Sequence, residues 1–558
     1  MPHSGKEEIQ MKKEKKGRMS NRITNDTVHA AYAILEKYKA GKAALEQRII
    51  DNEQWWKLRH YDEKNEDSIA TGWLFNTIIN KHADAMDNIP EATCLPREKS
   101  DGPAARLLTD VLPLILERNH FESTYSDCWY DKLKYGAACY GVFWNKSLDG
   151  GLGNTDVRRI DLLNLFWEPG ITDIQKSQNV FHVELWDNAY LQEEYPVLED
   201  CLSTPTFDVT QYIYDDTVDT SDKSAVIDWY YKTKNEGREC VHFCKFCNGI
   251  LLYASENDPD YRDTGFYNHG KYPFVIDKMY PVQGSPCGFS MIDAMRGAQK
   301  EIDILSSAIV RNARMAAERR FFVRSDGSIN EKEFAQWDQP FVHYSGSGDP
   351  STSIMPINVP TLSEVYVAIL NNKIEEIKEI TGNRDFSQGS TTGGVTAASA
   401  IAALQEAGNK GSRDMISSAY RAFEEICILL IDLIRQFYTW PRCFRIVGAD
   451  GLQAFVHCGN ELFDRKNADE TLSLQAEPIF DIKVRAHKKT SFSRMAMNEL
   501  ACELYKMGLF APENSKEAQL CLEMMEFEGK EEILRRVREN SEQSNIPLPS
   551  AALEGRMQ

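Results

Sequence analysis

The chain has 558 residues, 42% of them hydrophobic and 27% charged, and a formal net charge of −20. That length suffices for about three to four domains with cores of their own, and the acidity argues against a protein that coats DNA through broad basic patches. It leaves room for a protein that DNA passes through, because repulsive walls let a polyanion slide.

Thirteen cysteines, scattered and odd in number, fit reduced thiols in a cytoplasm better than a secreted disulfide framework. The opening MPHSGKEEIQMKKEKKGR is charged with no apolar run after it, so no secretory signal is expected there. Residues 1–25 read as a flexible mixed-charge arm. The longest apolar run, ICILLIDLI at 426–434, is far short of the roughly 20 residues a membrane span needs, and it contains Asp432. No membrane partner is expected.

In chain order, Asp26 to Arg59 has a helical pattern, with Trp55 and Trp56 as packing anchors. A second helix starts at Trp73 and is ended by Ile89-Pro90. Residues 103–136 read as helix again, broken or kinked by Pro113. Strand patterns follow at ACYGVFWN, VRRIDLLNLFWEP, VFHVELW, AVIDWYYKT, ECVHFCKFC, ILLYAS and FVIDKMYPV. From Gly288 the pattern changes to a long rod, GFSMIDAMRGAQKEIDILSSAIVRNARMAAE, with Ile292, Met295, Ala298, Ile302, Leu305, Ile309 and Ala316 recurring mostly at three- and four-residue steps. At 1.5 Å per residue it is roughly 45 Å long.

A short β-rich insert (319–360) leads into a returning rod, TLSEVYVAILNNKIEEIKEITG, then a Gly/Thr-rich loop and a third, longer helix from near Thr396 to Trp440. Strands return at CFRIVG, QAFVHC and PIFDIKVRAHKKT, and residues 491–540 finish as helices. The fold class is therefore α+β. A hairpin of rods tipped by a small module has little to bury itself against in one copy; many copies around an axis would supply it.

Several motifs invite chemistry. Gly389 and Gly394 have the spacing of a phosphate-binding loop, but the next residues are Val395 and Thr396, so the phosphate-reaching lysine is absent, and no apolar strand precedes the loop. Cys240, His242, Cys244 and Cys247 invite a zinc test. No second ligand pair follows, though; Asn248-Gly249 reads as a hairpin turn, and Cys247 falls on the opposite strand face from the other three. The adjacent acids Glu375–Glu376, Glu424–Glu425 and Glu531–Glu532 diverge around their helices and make no acid–base pair. Arg311, Arg314, Arg319, Arg320 and Arg324 concentrate positive charge at the end of the first rod, where a helix C-terminus favours cations. No cofactor, metal or catalytic residue is expected.

The segments GFSMIDAMRGAQKEIDILSSAIVRNAR, KIEEIKEITGNRDFSQGSTTGGVTAASAIAAL and IDLLNLFWEPGITDIQKSQNVFHVELW, in that architectural order, make residues 30–540 resemble the portal proteins of tailed bacteriophages. The resemblance implies a portal-type α+β fold. After the 1–25 arm, residues 26–287 and 397–490 would form the wing. Residues 288–318 and 361–382 would be the two stem helices, 319–360 the clip, 383–396 the channel loop, and 491–558 the crown and tail.

It further implies a non-enzymatic ring, usually of twelve copies, at a capsid vertex of the virion, assembled in the host bacterial cytoplasm. Double-stranded DNA would be packaged and ejected through its channel. Partners would be the terminase large subunit, the major capsid and scaffolding proteins, and head-completion or tail-adaptor proteins. Ser387, Gln388, Gly389, Ser390, Thr391, Thr392, Gly393 and Gly394 would then line the channel. The five arginines, with Lys410 and Arg413, would collar it or face the motor. Two rival readings are a non-viral oligomeric helical scaffold and a nucleic-acid-processing enzyme. The missing phosphate-loop lysine and the lack of clustered metal-binding acids count against the enzyme.

Overall fold

The computed structural model describes residues 22–61, 69–98, 101–198, 202, 207–213, 220–235, 237–318, 320–347, 349–358, 362–382, 410–447, 453–463, 479–488, 503–508, 519–522 and 533–534. The chain divides into two compact units, Met1–Met86 with Pro90–Arg485, and Asp87–Ile89 with Ala486–Gln558. Of the second unit's last seventy residues, short helical stretches at 503–506, 519–522 and 533–534 are described.

The first unit opens with α1 (Asn25–Trp56), whose Val28, Ala31, Leu35 and Tyr38 recur at helical spacing and are buried. They pack with Phe166, Phe181, Ile227, Trp229 and Phe246 on one face of a five-stranded antiparallel sheet, β4 (Leu165–Trp167), β5 (Asn179–Asp187), β6 (Lys223–Asn235), β7 (Arg238–Cys247) and β8 (Ile250–Ala254), joined in that order. The opposite face carries a smaller core of Leu191, Leu198, Leu202, Val226 and Cys247. β7 and β8 are linked by Asn248 at φ 48° and Gly249 at φ 80°, the pair of left-handed residues that a tight two-residue hairpin needs. Cys244 lies in the first core and Cys247 in the second, so the sheet itself separates these cysteines.

α2 (Trp73–Met86) leads into β1 (Asn88–Pro96), which pairs with β14 (Phe480–Lys488). Pro90 does not stop the helix, which ends at Met86: Pro90 and Pro96 sit in a strand that, among the described residues, belongs to a two-stranded sheet, where a missing N–H is better tolerated than in a central strand. Residues 102–135 divide into α3 (Gly102–Arg118) and α4 (Phe121–Tyr135). Pro113 lies inside α3, and the break falls instead at His120, which adopts φ 50°. β2 (Ala137–Asn145) then pairs with β3 (Asn154–Ile160) on one side and β9 (Phe274–Lys278) on the other.

The rods are α6 (Met291–Ala317) and α8 (Glu364–Thr381); between them come β10 (Phe321–Val323), α7 (Glu331–Ala335) and β11 (Ile354–Pro356), and a short α5 (Asn188–Glu194) precedes them in the chain. The expected β-rich insert is sparser in strand than its sequence suggests: β10 and β11 pair over three residues each, Phe321 with Pro356 through Val323 with Ile354, and most of the rest is irregular. After α9 (Lys410–Phe437), β12 (Arg442–Val447) and β13 (Gln453–Cys458) form an antiparallel ribbon. Among the described residues, no helix is long and apolar enough to cross a membrane.

Candidate functional site

The first rod begins with a reciprocal cap. Ser290 Oγ accepts from Asp293 N at 3.0 Å while Asp293 Oδ2 accepts from Ser290 N at 2.8 Å. α1 grips this cap from the side: buried Asn52 donates to Ser290 Oγ and to Asp293 Oδ1, both at 3.1 Å, and Arg48 donates to the Gly288 carbonyl at 2.7 Å. Further along, Gln299, Asp303 and Ser307 stand at four-residue steps on one face. Asp303 is fully buried and accepts from Thr71 N (2.8 Å), Thr71 Oγ1 (2.6 Å) and Gln299 Nε2 (2.9 Å), and its other oxygen lies 3.0 Å from His60 Nε2. His60 in turn stacks on Trp55 with ring centroids 3.7 Å apart. Burial and the Asp303 carboxylate push the neighbouring Tyr61 hydroxyl up to about 12. The root of the rod is held by hydrogen bonds as much as by apolar packing.

The apolar stripe changes character along its length. Ile292, Met295, Ala298 and Ile302 are buried, Leu305 and Ile309 are half-buried, and Ala316 is exposed. α8 returns beside α6, fastened by Lys373 to Glu301 at 2.8 Å, yet only Ile377 and Thr381 of α8 are buried. Val365 is 60% exposed, and Tyr366, Val367 and Ile369 are also open to solvent. At the tip, Phe321 packs edge-on to Phe334 with centroids 5.0 Å apart, while the cross-strand pair Phe322 and Met355 faces outward and Trp337 is 98% exposed. Solvent-facing apolar residues thus run along the distal rods and the tip.

The predicted cations fall into two places. Arg311 and Arg314 are exposed near the far end of α6, and Arg320 and Arg324 are exposed at the start of the tip, Arg324 lying 3.7 Å from Asp326. Arg319 lies outside the described residues, as do Ser387, Gln388, Gly389, Ser390, Thr391, Thr392, Gly393 and Gly394. Lys410 is the first described residue of α9, and Arg413 is exposed in its first turn.

Both flanks of segment 383–409 are fixed. α8 ends at Gly382, whose φ of 65° stops the helix, with buried Thr381 donating back to the Ile377 carbonyl at 2.9 Å. On the other side, buried Lys81 donates to Ser412 Oγ at 2.9 Å, and Lys132 donates to the Met415 carbonyl at 2.8 Å. Burial lowers the pKa of both lysines. None of these anchors stands out from sequence. The available signal was the four-residue ladder Gln299, Asp303, Ser307 bordering the apolar stripe of α6.

Cys240 Sγ is 4.0 Å from His242 Nε2, and His242 Nδ1 is 2.9 Å from Ser255 Oγ. That histidine already has a hydroxyl partner within the sheet. Among the described residues, no group of three or more His, Cys, Asp or Glu side chains is placed to hold a metal ion.

The sequence matches the phage P22-like portal protein family over residues 75–557, which is most of the chain, and the protein belongs to that family. No curated protein matches it.

Proposed function

We propose that the protein is the portal subunit of a tailed-phage capsid vertex, assembled as a closed ring around a channel for double-stranded DNA. Family membership supports the vertex role. The observation that carries the ring is the pair of rods whose apolar stripe is buried only at its root. Val365, Tyr366, Val367 and Ile369 on α8 and Ile304 on α6 would face water in a single copy. Side-by-side copies cover them, and an interface that is heterologous and closes on itself gives a ring.

In this reading 288–318 and 361–382 are the stem, 319–360 the clip and 383–396 the channel loop. Residues 26–287 and 397–490 form the wing, and 491–558 the crown. Arg311, Arg314, Arg320 and Arg324 repeat around the ring as a basic collar on an otherwise acidic body. Repulsion along most of the wall keeps phosphates from sticking, while sparse cations centre the duplex. The ring performs no chemistry of its own; the clip docks the terminase during packaging and adaptor proteins afterwards.

The test separates the subunit's fold from its assembly. Val365→Asp with Ile369→Asp places charge on the exposed row of α8 and should leave far-ultraviolet circular dichroism unchanged while sedimentation velocity shows loss of the large oligomer. Ile302→Asp, at a residue buried within the single chain, should instead unfold the root of α6. An α8 variant that assembles like wild type overturns the proposed interface.

A further inference from the structure

α2 bears on two helices through buried polar contacts at its two ends. At its start, Thr71 N and Oγ1 donate to Asp303, Leu74 N donates to Gln299 Oε1 at 3.1 Å, and Gln299 Nε2 returns a bond to the Thr71 carbonyl at 2.9 Å. At its other end, Lys81 Nζ donates to Ser412 Oγ at 2.9 Å, and Ser412 Oγ donates to Asp84 Oδ2 at 3.3 Å. The first set holds α6. The second holds the first turn of α9, directly behind segment 383–409. Leu74 and Lys81 are two helical turns apart, so about 10 Å of continuous helix joins the two pins.

The chemistry of the pins matters. An apolar contact can slide by a fraction of an ångström at little cost. A buried carboxylate, amide or ammonium that loses its partner is left desolvated and unpaired, so each pin is either made or broken. Asp303 is 0% exposed and Lys81 5%. One stiff helix thus carries a made-or-broken contact at each end, the kind of contiguous element through which two sites can be coupled.

We infer that α2 is a lever that couples the root of the stem helix to the helix that follows the channel loop, with Asp303 and Gln299 as its stem pin and Lys81–Ser412 as its loop-side pin. Displacing α6 at Asp303 shifts Thr71 and Leu74, tilts α2, and loads the Lys81–Ser412 contact. Its meaning for DNA passage rests on the portal reading above; the coupling itself does not.

The experiment is a double-variant cycle on the full-length purified protein, read by amide hydrogen exchange. Gln299→Leu breaks part of the stem pin and Ser412→Ala breaks the loop-side pin. Gln299→Leu is expected to speed exchange across 412–418 about tenfold, and Ser412→Ala is expected to speed exchange around 299–307 by the same factor, because coupling free energy is reciprocal. In the double variant the two effects should fall clearly short of multiplying. Thr71→Val and Lys81→Met repeat the cycle should either first variant fail to fold. Effects confined to each variant's own end, or effects that multiply fully, overturn the lever. Oligomeric state is recorded in parallel: a protein that forms no ring but shows the coupling refutes only the portal reading, and a ring without the coupling refutes only the lever.

Discussion

Lys132 donates to both carboxylate oxygens of Asp277, at 2.8 and 2.9 Å, and spends its third proton on the Met415 carbonyl. Neither side chain reaches water. One ammonium thus ties α4, β9 and α9 together, and Ser418 adds a further link, its single hydroxyl proton shared between Asp277 Oδ1 at 2.9 Å and the Lys278 carbonyl at 2.8 Å. All three lysine donors are satisfied, which is what makes a fully buried cation tolerable.

Lys132→Met should therefore destabilise the subunit by about 3–5 kcal/mol, because it strands the Asp277 charge in the core. Lys132→Met combined with Asp277→Leu should recover most of that loss, since neither partner is then left charged and alone. Urea unfolding of the three proteins measures this. A single variant as stable as wild type would mean that the pair clamps nothing.

The cleft of about 730 Å³ between β9 and α9 contains a group whose titration should be visible. Burial, and then Lys271, Arg435 and Lys232, lower the pKa of His269 from the usual 6.5 to about 3. Between those values the unfolded chain takes up a proton that the folded chain refuses, so this histidine's contribution is intact above pH 6.5 and is lost as the pH falls toward 3. His269→Gln should make stability less steep across that window, the difference from wild type reaching about 2–4 kcal/mol at the acid end after allowance for partial solvent screening. Parallel pH profiles for the two proteins would contradict this.

The rods and most strands were legible because their signals are local. Val28, Ala31, Leu35 and Tyr38 mark a helix face by spacing alone, and Asn248-Gly249 marks its hairpin by the φ values it can adopt. The break between α3 and α4 was misplaced, because Pro113 looks like a breaker in sequence while His120, which carries the left-handed turn, does not. β1 was missed because Pro90 and Pro96 argue against a strand, and only its pairing with distant β14 makes one. The grip on the root of α6 was not legible for a similar reason: Asn52, His60 and Thr71 meet Ser290 and Asp303 across more than two hundred residues.

Deleting Asp385 to Gly394 should leave assembly intact, because the rods on either side are held by their own caps and anchors. The expected defect lies in filling the capsid or retaining packaged DNA, measured as the DNA content of purified particles. Normal packaging and retention would remove this loop from the channel.

Free rings should bind duplex DNA weakly, without sequence preference, and less as salt rises, since in the proposed channel sparse cations meet phosphates and not base edges. A salt titration of duplex binding reads both slope and selectivity. Arg311→Gln with Arg314→Gln should make the slope shallower by up to about two counter-ions per copy engaged. Tight, sequence-selective binding that survives high salt would imply base readout and not a passive channel.

The most direct measurement is single-particle imaging of the purified full-length protein. Closed rings are expected, with an open axial hole wide enough for duplex DNA, built from copies whose α6 and α8 pack side by side. Monomers alone, or compact bundles with no axial opening, would contradict this.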